Sequence, residues 1–259
     1  MTGTQSLTGA WAGRQQRILV AAALVAVTGL LVGCQPTPGG GVNAPGSSAE
    51  AYPLLTSDIA EVEAEPTPQA QASLADNALA VLDTIPVQRK TEWDGPFDRV
   101  ASFGEGWADL DGDGCNTRQE MLAEGLGDTK LNRDQCRVDT GVLHDPYTGE
   151  TVPFTRGENT SDRVQIDHVV ALYNAWRTGA QDLSFEERVA LANDPLNLQP
   201  TVDWANDEKE SKDASQWLPP NEAYHCTYVA RQIAVKATYQ LWVTPAEDDA
   251  MREVLATCQ

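Results

Sequence analysis

Asp167 and His168 stand side by side at the end of a short apolar run, VQIDHVVAL. A carboxylate next to an imidazole can hold a divalent metal and still leave a base free to take a proton. Asn197 follows in a second run, NDPLNLQP, and Asn206 opens the stretch NDEKESKDASQWLPP, which carries Lys209 and Lys212. An amide oxygen is a further hard ligand, and lysines neutralise phosphate. Carboxylate, imidazole, amide and cation brought to one spot suit phosphodiester hydrolysis. An aspartate beside a histidine often does no more than fix its tautomer. The ordered set, rather than the pair, carries the catalytic reading.

Those residues need elements to position them. Arg163–Ile166 reads as a brief strand delivering Asp167 and His168, Leu196–Gln199 as a second, and Asn206–Ala214 as a short polar helix. Between the strands, Val170–Thr178 and Phe185–Ala192 have helical spacing, and Gly179 stops the first. Upstream, Arg118–Leu126 reads as a helix ending at Gly127, and Val138–Leu143 as a strand. The turn Asp145-Pro146-Tyr147-Thr148-Gly149 then leads into a hairpin. Downstream, Leu218 to Asn221 (LPPN) forms a rigid turn feeding the longest helix, Ala223–Tyr239, and Met251–Thr257 closes the chain. Ala80–Ile85 looks like a short helix, and Trp176 and Trp217 are expected around the core. The fold class is α+β, with no internal repeat.

The N-terminus has a different character. Arg14 and Arg17 precede an apolar run from Ile18 to Val32, and Leu31-Val32-Gly33-Cys34 resembles a bacterial lipobox. The run is shorter than a membrane span requires. The expectation is an exported protein, lipidated at Cys34 and held on the outer face of the bacterial cell membrane through that anchor alone. Residues 35–78 are rich in Pro, Gly, Ala, Ser and Glu and read as a disordered tether, with the ordered domain spanning 79–259. The net charge is −20, and 16 of 18 Lys and Arg and 32 of 38 Asp and Glu fall from Leu79 onward. The domain therefore keeps a charge of −16, which excludes a protein generically adhesive to nucleic acid.

Apart from Cys34, the cysteines are Cys115, Cys136, Cys226 and Cys258. Four in an exported chain read as two disulfides with three possible pairings. Cys115–Cys136 and Cys226–Cys258 are favoured because each closes a moderate loop. A zinc site is the weaker rival, because no CxxC pair exists.

DHVVAL, NLQP and NDEK, taken with GCNTRQE, DPYTG, KDASQWLPPN and YHCTYVARQIAVKATY, resemble the exported HNH endonuclease family. That family is related to the C-terminal domain of GmrSD-type restriction enzymes. The resemblance implies a ββα-metal core within a mostly helical, disulfide-stabilised domain. It implies His168 as general base, Asp167 and Asn206 as metal ligands, and Asn197 as the support of the histidine loop. Lys209 matches a basic position that touches phosphate; Lys212, by its charge, and Arg118, as a clamp reaching into the cleft, are read as further phosphate contacts. The implied cofactor is one divalent ion, Mg²⁺ first, with Mn²⁺ or Zn²⁺ as alternatives. The implied partner is nucleic acid, DNA ahead of RNA, cut by a monomer to leave 5′-phosphates. Asp207, Glu208 and Glu210 depart from the less acidic family pattern and predict weak, salt-sensitive binding. His144 and His225 are expected to be structural or exposed, with His144 the nearer to the cleft.

Asp109, Asp111, Asp113, Gly114 and Glu120 fit an EF-hand-type loop with oxygen ligands at positions one, three, five and twelve. Calcium at this second site is one reading, and an acidic turn pinned by the Cys115 disulfide is the other. A lipid-anchored calcium-binding or interaction module on a nuclease-like scaffold is the alternative function.

Overall fold

The computed structural model describes residues 52–92 and 95–258. The signal segment, Cys34 and residues 35–51 of the expected tether lie outside the described residues.

The rest of that tether is helical. Helices α1 (Pro53–Ala64) and α2 (Pro68–Leu82) form a pair packed on a later helix. Pro53 and Pro68 sit at the first turn of α1 and α2, where a missing N–H costs nothing. Thr67 caps α2 by accepting from the Ala70 amide at 3.1 Å. The alanine-rich body of α2 has high helix propensity. Ala70, Leu74, Ala75, Ala78 and Leu82 form one buried stripe.

Next come the short helix α3 (Arg99–Phe103) and α4 (Thr117–Gly125), whose Asn116 and Gln119 form a reciprocal cap. Strands β1 (Leu126–Leu131), β2 (Val138–His144) and β3 (Thr151–Thr155) make an antiparallel sheet in that order. The sequence LGDTKL carries no strand pattern, and β1 forms as an edge because β2 supplies its partner.

A second antiparallel sheet joins β4 (Val164–His168) to β5 (Leu198–Val202), with Val164 opposite Val202 and His168 opposite Leu198. Helices α5 (Leu172–Arg177) and α6 (Phe185–Asn193) fill the connection. Gly179, at φ 127°, occupies a left-handed conformation against the Leu241 backbone, and the chain turns there after α5. Helix α7 (Asp203–Lys209) follows β5 directly, so β4, β5 and α7 build a β-β-α unit. Asn206 thus lies inside α7 rather than at its start, and Lys212 lies beyond its end.

Helices α8 (His225–Thr238) and α9 (Pro245–Ala256) complete the domain. Nearly every residue of α8 is buried, which makes it the spine between two apolar clusters. One holds Ile233, Leu74 and Val164; the other holds Val235, Phe103 and Leu191. Trp217 packs in the first and Trp176 against the second. Each fully buried Leu, Ile or Val stabilises the fold by roughly 1.5–3 kcal/mol. Disulfides join Cys115 to Cys136 and Cys226 to Cys258. No helix among the described residues is long and apolar enough to cross a membrane. The architecture is α+β, mostly helical, with two small antiparallel sheets.

Candidate active site

Strand β4 ends at the floor of a cavity of about 400 Å³. Asp167, His168, Asn206 and Arg118 line it, together with Arg99, Trp107, Gln165, Tyr173 and Glu210. Four of the residues singled out in the sequence therefore meet in one cleft.

His168 is the most constrained of them. Its ring is buried and lies parallel to Trp107, with centroids 5.7 Å apart and planes within 3°. Nε2 lies 2.8 Å from the carbonyl oxygen of Ala192, which can only accept. The contact fixes the proton on Nε2 and leaves Nδ1 as an acceptor. Burial lowers the imidazole pKa to about 3, Arg99 and Lys209 push the same way, and the Ala192 hydrogen bond opposes them. The ring is thus neutral at ordinary pH, the state a general base requires.

Asn197 lies outside the cleft lining and holds the loop after His168. Its Oδ1 accepts from the Val170 amide at 2.7 Å, and its Nδ2 donates to Leu191 at 3.1 Å. Its own carbonyl takes the Val169 amide at 2.8 Å.

Asp167 is held from two sides. Lys209 Nζ donates to its Oδ1 at 3.0 Å and the Tyr147 hydroxyl to its Oδ2 at 2.8 Å. Burial pushes the Asp167 carboxyl up, and the Lys209 ammonium opposes that shift. Tyr147 reaches it from the DPYTG turn. There Asp145 accepts from the Tyr147 amide, from Thr201 and from Val202, tying the turn to β5. Tyr147 escaped the sequence reading because its partner lies 20 residues away, a pairing that no local spacing encodes.

Lys209 differs from expectation. It is 0 % exposed, and Nζ also donates to the His168 carbonyl at 2.8 Å, so it does not reach a phosphate. Ala205 and Lys209, four residues apart on α7, both face inward, whereas Asp207 and Glu208 face solvent on its outer side. Of the three acidic residues expected to crowd the site, only Glu210 lines the cleft. It adopts φ 50°, ψ −123° where α7 ends, a strained backbone of the kind that gathers at functional sites. Lys212 lies in a neighbouring hollow and donates to the Glu208 carbonyl at 2.6 Å.

Two guanidiniums supply the positive charge of the cleft. Arg118 uses one nitrogen to donate to the Val164 carbonyl at 3.2 Å, and its other donors remain. Arg99 was missed in the sequence because it sits on a five-residue helix far upstream, without a motif. It has no hydrogen bond or ion pair among the described residues, and its charge acts on His168.

For a divalent metal, the donors available are Asp167 and Asn206. Each Asp167 oxygen keeps a second acceptor position. Asn206 Nδ2 donates to Gln165 at 2.6 Å, which leaves its Oδ1 without a partner among the described residues. An oxygen-only pair fits a hard ion that retains waters, such as Mg²⁺ or Mn²⁺, better than Zn²⁺.

The remaining histidines lie elsewhere. His144 is exposed at the end of β2, bonded to Thr151 at 3.1 Å, and lines a separate cavity beside α1. His225 lies 2.7 Å from the Pro219 carbonyl through Nε2 and holds the LPPN turn. In the acidic loop, the carboxylates of Asp109, Asp111 and Asp113 can bring one oxygen each within 4.8 Å of one another. Glu120 has a raised pKa, from burial first and then from Asp111, Asp113 and Asp109. Residue Trp107, stacked on His168, stands two positions before this loop.

The family model for GmrSD restriction endonucleases, C-terminal domain, matches residues 117–254, which hold the β-β-α unit with Asp167 and His168 of β4. An uncharacterized secreted protein of Arthroderma benhamiae is 36% identical over 154 residues, 59% of this chain and 72% of that protein. No solved structure shows a significant match. The match covers more than half of the 259 residues and takes in the cleft built by β4 and α7, so the chain belongs to the family of GmrSD restriction endonuclease C-terminal domains.

Proposed function

We propose that this chain is an exported, metal-dependent endonuclease of the HNH type that hydrolyses phosphodiester bonds of nucleic acid, with His168 activating water. The observation that carries the reading is the His168 imidazole, neutral and oriented by Ala192, with Nδ1 left as acceptor in a cleft shared with Asp167 and Asn206. Membership in a restriction endonuclease family supports the substrate class, with DNA ahead of RNA.

Asp167 and Asn206 would hold the metal, and Lys209 and Tyr147 keep the Asp167 carboxylate in one orientation. A bound divalent ion supplies charge stabilisation at the scissile phosphate and the leaving oxygen. His168 Nδ1 takes a proton from water as the water oxygen bonds to phosphorus. The bond to the 3′-oxygen breaks and a 5′-phosphate remains. Arg99 and Arg118 donate to the non-bridging oxygens, where charge builds up. Asn197 keeps the loop after His168 from shifting.

Incubating the soluble chain with plasmid DNA and with single-stranded RNA, under Mg²⁺, Mn²⁺ or EDTA at low salt, tests this. Cutting that EDTA abolishes is the expected result. Failure of a folded protein to cut either polymer would overturn the reading in favour of a binding module.

The basic-apolar N-terminus and the secreted relative support export, with Cys34 as the lipid anchor to the outer face of a bacterial membrane and the domain acting as a monomer. Partition of the mature protein into detergent, lost in Cys34→Ala, is the check on the anchor. Calcium at Asp109, Asp111, Asp113 and Glu120 belongs to the same proposal, favoured by the convergence of the three aspartates. Millimolar Ca²⁺ is expected to raise Tm by several degrees, in line with about 1 kcal/mol of linkage. An Asp111→Asn variant should lose that shift. An unchanged Tm in the wild type would remove calcium from the account.

A further inference from the structure

A second hollow, of about 300 Å³, adjoins the active-site cleft. The two share Tyr173, Glu210 and Ser211 in their walls, so they form successive stations of one surface track. Lys90, Arg177 and Lys212 line the second hollow, against Glu210 as its one acidic lining residue. In a chain of net charge −20, three cations gathered around one recess run against the general composition.

Among the described residues each cation has one hydrogen-bond or ion-pair partner and keeps donors in reserve. Lys90 pairs with Asp213 at 2.7 Å, Arg177 uses Nε on the Thr91 carbonyl at 3.1 Å, and Lys212 uses one proton on Glu208. The Arg177 guanidinium also lies 6.0 Å from the Tyr173 ring centre.

An independent observation comes from Asn174, which lines the same hollow and is 3 % exposed. Its Nδ2 is buried with no hydrogen-bond partner among the described residues. Turning the amide over does not cure this. Oδ1 accepts from the buried Lys236 ammonium at 3.3 Å, and a flip would set an NH₂ against an NH₃⁺. A buried donor without an acceptor costs about 1–3 kcal/mol, a cost that an oxygen acceptor seated in the hollow would relieve.

We infer that this hollow is a phosphate subsite, which seats a backbone phosphate of a polynucleotide strand whose scissile bond lies in the neighbouring cleft. The inference rests on the nuclease reading for the identity of the strand. Lys212, Arg177, Lys90 and Asn174 donate to the phosphate oxygens, and Tyr173 forms the ridge that the strand crosses between stations. Cation contacts of this kind set register on the strand without reading its bases.

The test measures binding apart from cleavage. Full-length protein carrying His168→Ala is titrated into a fluorescein-labelled 12-nucleotide single-stranded DNA over a series of salt concentrations, with anisotropy as the readout. Added Lys212→Gln, and separately Arg177→Gln, should weaken Kd by about five- to tenfold and reduce the salt slope by about 0.7–1. Lys130→Gln, on the exposed face of β1, serves as the control and should change neither. Among the described residues the Lys212 side chain hydrogen-bonds only the carbonyl of Glu208, so its variant should keep the parent Tm.

Cleavage by the wild type with unchanged Kd and slope in both variants would overturn the subsite and leave the nuclease standing. Weakened binding in a protein whose wild type cuts nothing would support the subsite and overturn the nuclease. Inorganic phosphate that raises the wild-type Tm but not that of Lys212→Gln, with strand affinity unchanged, would assign the hollow to free phosphate and overturn the strand path.

Discussion

Replacing His168 by alanine is expected to lower kcat on plasmid DNA about a thousandfold, within the range a positioned general base supplies, while the domain stays folded. Among the described residues the side chain makes one hydrogen bond, to Ala192, and one ring contact, with Trp107. Losing them removes a proton acceptor without stranding a charge. The same substitution has a second readout. Burial, aided by the fields of Arg99 and Lys209, brings the folded-state pKa to about 3, against about 6.5 in an unfolded chain. A folded value below the unfolded one gives stability that is complete above pH 6.5 and declines as pH falls towards 3. The slope is at most about 1.4 kcal/mol per pH unit for one group. Melting curves at pH 7.5 and 4.5 should show that decline in the wild type and a smaller one in His168→Ala. Retention of metal-dependent cutting by the alanine variant would remove His168 from the chemistry.

Lys209→Met should cost about 3–5 kcal/mol of stability, because it leaves the Asp167 carboxylate buried and uncompensated. Both partners are enclosed, with the ammonium 0 % and the carboxylate 4 % exposed. The Tyr147 hydroxyl alone cannot replace the lost charge. Pairing it with Asp167→Asn should restore much of the loss, since two neutral groups of similar shape then fill the space. Urea unfolding of the single and double variants decides this. Equal stability of Lys209→Met and the wild type would mean that water reaches the pair and that the lysine is free to move.

Much of the site was legible because it is local. VQIDH ends a strand and NLQP begins its partner, and Asn206 follows four residues into a helix, so three sequence runs meet wherever that pairing forms. The disulfides too follow from moderate loop lengths. What the sequence concealed depends on helix phase and distance. Lys209 looked like a surface cation because lysine usually is one. It is four residues from Ala205 on the buried side of α7, and burial follows from that phase. Tyr147, Arg99 and Trp107 come from elements 20 to 69 residues before Asp167 and His168, and only tertiary packing brings them close. The start of the ordered domain was misplaced for a compositional reason. Proline and alanine are common in linkers, and alanine with one proline at the first turn suits a helix equally well.

That N-terminal pair bears on how the protein is handled at the bench. A chain begun at Leu79 would discard Leu55, Ile59, Val62, Leu74, Ala75 and Ala78, all buried in one cluster with Val229, Ala230 and Ile233 of α8. It would also discard Glu63, which meets Arg231 at 3.4 Å beside β5. Such a shortened protein would carry an oily groove along its spine and clump on purification, and a missing activity would then say nothing about the cleft. The safe cut lies ahead of Tyr52, where the helical pair is still whole.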